Sequence, residues 1–176
     1  VTPSGITIRC NVLQLLNAQK ELIDPALKGT EIVIRTANKI SSVKRIVLTS
    51  SVAAMYSDAS ECQQYENNEI NESVWNKTAS LSYQPYSYSK RLSEERAWEL
   101  QSLQKNWDLV VVNPSLVLGP FMNSKYTTSE SFKILKEIGN AKLKRWIPKF
   151  GIGLVDVRDV AEAHCLAGFS KNAKGR

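Results

Sequence analysis

Apolar positions follow two rhythms along the chain, a spacing of three and four in some stretches and short unbroken runs in others. From Gln19 to Ile40, Leu22, Ala26, Gly29, Val33 and Ala37 recur at helical spacing, which predicts a helix with one apolar or small face. Pro25 bends that helix or marks its start. Arg45-Ile-Val-Leu-Thr-Ser50 is a β-branched apolar run and predicts a strand buried on both faces. Residues 57–84 are rich in Ser, Asn, Gln and Glu and predict surface loop with short turns. A second helix is expected from about Tyr86 to Lys105, with Ala97, Leu100 and Leu103 along one side. Asp108-Leu-Val-Val-Val-Asn113 repeats the buried-strand pattern, and Gly119-Pro120 ends the segment after it. Thr127-Thr-Ser-Glu130 has capping-box spacing, and the helix behind it is expected to bury Phe132, Leu135 and Ile138. Gly153 to Val157 reads as a strand and Val157 to Phe169 as a helix. This alternation predicts an α/β fold with a doubly wound parallel sheet.

Composition narrows the class without naming a function. The chain has 176 residues, 43% hydrophobic and 23% charged, which is the make-up of an ordinary globular domain. No run approaches the roughly 18 apolar residues of a membrane span, and the first residues have no signal-peptide pattern, so a cytosolic, membrane-free protein is expected. Cys10, Cys62 and Cys165 are too widely spaced for a zinc motif or a dense disulfide framework, and no metal is expected. Asn71-Glu-Ser and Asn76-Lys-Thr match the glycosylation tripeptide and are read as silent. The net charge of +6 suits an anionic partner, but the basic residues are scattered. The densest group, Lys142, Lys144 and Arg145, is read as a solvated helix end, and no nucleic-acid motif is present.

The sharpest chemical feature is Tyr86-Ser-Tyr-Ser-Lys90. On a helix, Tyr86 and Lys90 share one face with Cβ atoms about 5–6 Å apart. An ammonium there stabilises the phenolate, so the ordinary pKa of about 10 falls toward operating pH and the hydroxyl becomes a usable acid or base. Tyr88 has Leu92 four residues on, which offers no charge. Ser50-Ser51 leaves the first strand at the sheet edge where ligands bind, 35 residues before Tyr86 in the case of Ser51. Its hydroxyl suits a carbonyl oxygen, although strand-terminating serines also cap backbone. Asn113-Pro114-Ser115-Leu-Val-Leu-Gly119-Pro120 leaves the second strand at the same edge, where Pro114 removes a ladder donor.

This ordered set resembles the extended short-chain dehydrogenase/reductases, and within them the dihydroflavonol reductase and cinnamoyl-CoA reductase group. Lys20-Glu-Leu-Ile-Asp-Pro-Ala-Leu-Lys-Gly-Thr30, Asn71-Glu-Ser-Val-Trp75 and Val155-Asp-Val-Arg-Asp-Val-Ala-Glu-Ala-His164 share the likeness, which covers about residues 18–176. The resemblance implies a Rossmann-like sheet and reduction of a small-molecule carbonyl to an alcohol with NADP, or alternatively NAD. It implies that Ser51 polarises the carbonyl, that Tyr86 delivers the proton and also contacts the cofactor, and that Lys90 lowers the tyrosine pKa and holds the nicotinamide ribose. It also implies that Pro114, Ser115, Leu116 and Val117 line the nicotinamide and that Ser129 reaches the phosphates. Asp156, Arg158, Asp159 and His164, the single histidine, are read as joining strand to helix rather than as catalytic.

The chain departs from that pattern at both ends. Gly5 and Gly29 are its only glycines before residue 100, so no glycine-rich phosphate turn can be drawn and the first βαβ units are absent. Residues 1–17 form an atypical segment ahead of a partial nucleotide-binding domain at 18–176. The expectation is therefore a fragment or splice product that by itself binds NADPH weakly and reduces carbonyls little. Two other readings stand beside the reductase: a sugar-nucleotide epimerase or steroid dehydrogenase of the same fold, and a non-enzymatic remnant acting as an interaction module. Oligomeric state is not readable.

Overall fold

Two parallel strands end side by side at the centre of the structure, a computed structural model that describes residues 17–120, 129–140 and 151–176. Strand β1, Arg45–Thr49, pairs in parallel with β2, Asp108–Val112, in the register Arg45 to Asp108 through Thr49 to Val112. The segment at Gly175 joins the other edge of β2 through a parallel bridge to Val110. A second parallel pair, β3 (Leu116–Leu118) with β4 (Leu154–Asp156), follows β2 after a short turn.

Helices cover both faces, as a doubly wound sheet requires. A π-turn at Gln19–Ile23 leads into α1, Asp24–Ala37, which packs on α2, Pro85–Ser102. Ile34, Ala97, Leu100, Trp107, Leu109 and Val111 close this side into one apolar cluster. On the other side α4, Val157–Phe169, lies on β1 and β2 with Ala167 buried. A short 3-10 turn, Val52–Ala54, follows β1, and the polar stretch 57–84 holds two more, Ala59–Gln64 and Glu66–Asn68, as its loop-like composition predicted. Helix α3, Glu130–Gly139, packs against β3.

Arg45 staples these layers. Its Nε and Nη2 donate to the two carboxylate oxygens of Asp108 at 2.9 and 2.8 Å, joining the first residues of β1 and β2. Its Nη1 donates to the carbonyls of Ala167 and Ser170 at the end of α4. The fork geometry of a guanidinium permits all four bonds at once.

Several expectations from periodicity need correction. The buried positions are Ile23 at the end of the π-turn and Ile34 in α1, while Val33 is 63% exposed and Gly29 lies open. Two neighbouring stripes satisfy the same spacing, and contact with α2 selects the one through Ile34. Leu103 is 76% exposed because α2 ends at Ser102 and leaves it as the cap. Strand β1 is half-buried rather than buried on both faces, whereas Leu109, Val110 and Val111 of β2 are fully buried. Among the described residues β2 has a parallel neighbour on each side and β1 has one. Leu135 and Ile138 are 45% and 54% exposed, since α3 leans on β3 alone among the described elements. Ser129, not Thr127, caps α3, and its side chain makes no capping bond. Cys10, Thr127 and the cluster Lys142, Lys144 and Arg145 lie outside the described residues, as does the atypical segment up to residue 16.

Two predictions follow from the turns that end the β3–β4 pair. Gly119 has φ of 144°, and a Cβ there would stand 2.6 Å from Val157 Cγ1. Strain and overlap act together, so Gly119→Ala is expected to cost about 2 kcal/mol in denaturant unfolding. Asp156 caps α4 by accepting from Arg158 N at 2.8 Å and pairs with the Arg158 guanidinium, which hold its carboxyl down at about 2. A depressed carboxylate stabilises the fold above its unfolded value, and that share is lost as pH falls from about 4 toward 2. Acid titration of Asp156→Asn should show a flatter loss across this window than the parent chain.

Candidate active site

The site is assembled where β1 and β2 stop. Ser50 N donates to Val112 O at 2.8 Å as the last rung of the ladder. Ser51 is extended, with φ of −167° and ψ of 154°, and its Oγ accepts from Ala53 N at 3.1 Å to cap the turn Val52–Ala54. Val52 N then donates to Pro114 O at 3.1 Å, and Asn113 Nδ2 donates to Ser51 O at 3.2 Å. The two strand exits are thereby sewn together. Of the two serines, Ser50 is 7% exposed with its Oγ buried and unpartnered among the described residues, while Ser51 is half-buried. Ser51 is the hydroxyl a ligand can reach.

The turn opened by Ser51 packs on α2, the helix that carries Tyr86 and Lys90. That helix begins abruptly. Gln84 holds a left-handed conformation, with φ of 50° and ψ of 60°, and Pro85 occupies the first helical position, where its missing N–H costs nothing. Gln84 is anchored by donating Nε2 to Ser57 O at 3.0 Å and accepting from Ser87 Oγ at 3.0 Å. The first turn then presents Tyr86, 43% exposed, with Lys90 Nζ 5.9 Å from its ring centroid. Burial pushes the Lys90 ammonium below its ordinary pKa, and the Glu94 carboxylate pulls it back up. Among the described residues no hydrogen-bond acceptor stands against Lys90 Nζ, which lies over the Tyr86 ring.

Tyr88 is a weaker contrast than its spacing suggested. Leu92 is uncharged, but Arg91 at i+3 lies over the Tyr88 ring at 5.1 Å. What separates the two tyrosines is the second bond of the cation: Arg91 donates to Asn76 O at 3.0 Å and is tied to the fold.

Asn76 is the part of the site that sequence reading missed. It is completely buried, and its amide bridges three segments. Nδ2 donates to Ala53 O at 2.9 Å and to Ser57 Oγ at 3.0 Å. Oδ1 accepts from Thr78 N at 3.1 Å and Ala79 N at 2.8 Å, and the backbone N–H donates to Ala54 O at 2.9 Å. The turn after Ser51 is held from behind by this one amide. The only sequence signal was the Asn76-Lys-Thr tripeptide, which points to a surface sugar acceptor, the opposite of a residue at 0% exposure.

Pro114 and Ser115 form the bend between β2 and β3, and Leu116 and Val117 lie half-buried in β3. A Cβ on Gly153 would stand 3.1 Å from Ser115 Cβ, so the entry to β4 runs tightly beside that bend. Ser129 stands exposed at the N-terminus of α3. A shallow depression lined by Leu118, Gly119, Leu154, Val155 and Asp156 opens at the β3 and β4 ends and does not include Ser51, Tyr86 or Lys90. His164 ties α4 to β1: Nδ1 lies 2.7 Å from Val160 O and Nε2 2.7 Å from Thr49 Oγ1. A carbonyl only accepts, so Nδ1 carries the proton and Nε2 takes the threonine hydroxyl hydrogen in the neutral ring. No described helix is long and apolar enough to cross a membrane.

A parallel sheet sandwiched by helices, with the candidate site at the carboxyl ends of β1 and β2, defines a Rossmann-type α/β domain. The signature of the NAD dependent epimerase/dehydratase family matches residues 10–175, and the chain belongs to that family. Cinnamoyl-CoA reductase CAD2 of Medicago truncatula is 38% identical over 161 residues, 90% of this chain and 47% of that protein. Tetraketide alpha-pyrone reductase 2 of Arabidopsis thaliana is 38% identical over 169 residues, covering 91% and 49%. The crystal structure of yeast methylglyoxal/isovaleraldehyde reductase Gre2 complexed with NADPH is similar at a TM-score of 0.78 and 29% identity, covering 92% of this chain and 51% of that one. The chain spans about half the length of the curated relatives it matches.

Removing the Asn76 amide leaves several buried backbone groups without partners, each worth about 1–3 kcal/mol. Asn76→Ala is therefore expected to destabilise the fold by about 3 kcal/mol or more in urea unfolding, with the turn at Ser51 the first to gain amide hydrogen exchange.

Proposed function

We propose that the chain carries the catalytic centre of an NADP-dependent reductase that converts a small-molecule carbonyl to an alcohol in the cytosol, with NAD the alternative cofactor. The observation that carries this reading is the Lys90 ammonium 5.9 Å from the Tyr86 ring, on a helix packed against the Ser51 turn. The names of relatives support it, since they describe reductases and one was crystallised with NADPH.

The donor set suits a dinucleotide. Lys90 has ammonium hydrogens with no described acceptor, which suits ribose hydroxyls, and the exposed start of α3 at Ser129 suits a phosphate. Pro114, Ser115, Leu116 and Val117 would line the nicotinamide. When bound, the reduced cofactor supplies the hydride that the carbonyl carbon receives.

The chain's own residues do the rest. Ser51 Oγ already accepts from Ala53 N, which leaves its O–H to donate to the carbonyl oxygen. As negative charge develops on that oxygen, Tyr86 donates its phenolic proton to it. Lys90, 5.9 Å from the ring centroid, then stabilises the phenolate left behind. Ser51 orients, Tyr86 transfers and Lys90 tunes.

Three substitutions test the assignment in the complete protein with NADPH and an aldehyde. Tyr86→Phe is expected to lower kcat about 10²–10⁴-fold, the range of a lost general acid, with a much smaller effect on NADPH affinity. Lys90→Ala should lower kcat and weaken NADPH binding together, and Ser51→Ala should lower kcat with little change in NADPH binding. Wild-type turnover by Tyr86→Phe would overturn the reading. Epimerisation of a sugar nucleotide without net NADPH consumption would replace it with the other branch of the fold.

A further inference from the structure

One turn after Lys90 on the same helix, Glu94 is a carboxylate at 0% exposure. Burying such a charge costs several kcal/mol unless it is paired and hydrogen-bonded. Both oxygens are engaged. Oε1 meets the guanidinium of Arg176, itself 7% exposed, and Oε2 accepts from Asn113 Nδ2 at 2.8 Å.

Each partner is held in turn. Arg176 donates Nη1 to Glu72 O at 2.8 Å and Val74 O at 2.9 Å, and its guanidinium lies 3.8 Å from the Trp75 ring centroid. Asn113 uses the same Nδ2 to reach Ser51 O. Glu94 therefore joins the Tyr86 and Lys90 helix, the exit of β2, the backbone of Ser51 and the Glu72–Trp75 loop.

Two cations share this carboxylate, Arg176 in contact and Lys90 one turn away. The remaining charges on α2 are committed elsewhere. Arg91 lies over Tyr88 and pairs with Glu95 at 3.8 Å, and Arg96 pairs with Glu31 of α1 and with Glu99. The Val52–Ala54 turn packed on α2 contributes no charged side chain, and Asp108 of β2 is taken by Arg45. Lys20 and Glu21 of the π-turn are exposed.

We infer that Glu94, balanced by Arg176, is a positioning residue that sets the negative field around the Lys90 ammonium and clamps the strand exit bearing Ser51. Its catalytic consequence rests on the reductase reading; its electrostatic content does not.

Competitive acetylation of the 176-residue chain with trace acetic anhydride across pH, read by mass spectrometry at Lys90, measures that field without turnover. Glu94→Gln removes the negative charge and should lower the Lys90 titration midpoint. Arg176→Met leaves the carboxylate facing Lys90 alone and should raise it. Each shift is expected to be about one pH unit, a roughly tenfold change in acetylation rate at fixed pH, with exposed lysines such as Lys20 unchanged. Shifts in opposite directions support the inference, because a purely structural role would move both variants alike or neither. Where one variant loses its circular dichroism spectrum, the other decides: a midpoint moved in its stated direction supports the inference and an unchanged one overturns it. Loss of fold in both variants would make the pair a structural element only and overturn it as well. A failed carbonyl assay would leave these midpoints untouched, and unmoved midpoints would leave the carbonyl assay untouched.

Discussion

The parallel register of β1 and β2 is the constraint on which the site depends. Because Thr49 faces Val112, the two strands end together, and the next residues of each chain segment meet: Ser50 with Val112, Val52 with Pro114, Ser51 with Asn113. A slip of one residue would turn every side chain to the other face and carry Ser51 away from α2. Arg45 and Asp108 fix the opposite end of the same pair. Register, set by a buried ladder and one bidentate ion pair, is thus converted into the position of a hydroxyl.

Behind that edge lie two fully buried polar groups of different kinds. Asn76 is neutral and holds backbone, so its cost of burial is met bond by bond. Glu94 is charged and needs Arg176, a residue 82 positions later in the chain, to be tolerated at all. Each bond these two groups make ties a distant segment to the strand exits and narrows the arrangements open to the site. The mobile-looking composition of residues 57–84 conceals the first of them: a loop rich in Ser and Asn is ordered here because its side chains bond to one another and to the Ser51 turn.

Much of the fold was legible in order. Buried β-branched runs located β1 and β2, the Gly119-Pro120 stop located the end of β3, and the helix from Val157 to Phe169 fell where expected. Faces were less legible than elements. Val33 and Ile34 satisfy the same helical spacing and differ only in what stands opposite, and Leu103, Leu135 and Ile138 look like core by type but face outward. In the site, Tyr86 and Lys90 could be paired from sequence because their relation is local, four residues on one helix. Asn76 and Glu94 could not, because a buried asparagine or glutamate reads as a surface residue until its partners are known.

The sequence by itself therefore determined much of what depends on near neighbours along the chain: which main segments are strand or helix, to within a few residues where they stop, and that a phenol and an ammonium share one helical turn. The tertiary structure decided which faces are buried, which of two adjacent serines stays reachable, and which polar residues are spent inside holding the strand exits. Local periodicity is encoded within a dozen residues, whereas burial and pairing are properties of distant segments brought together, and only their contact assigns a buried charge its partner.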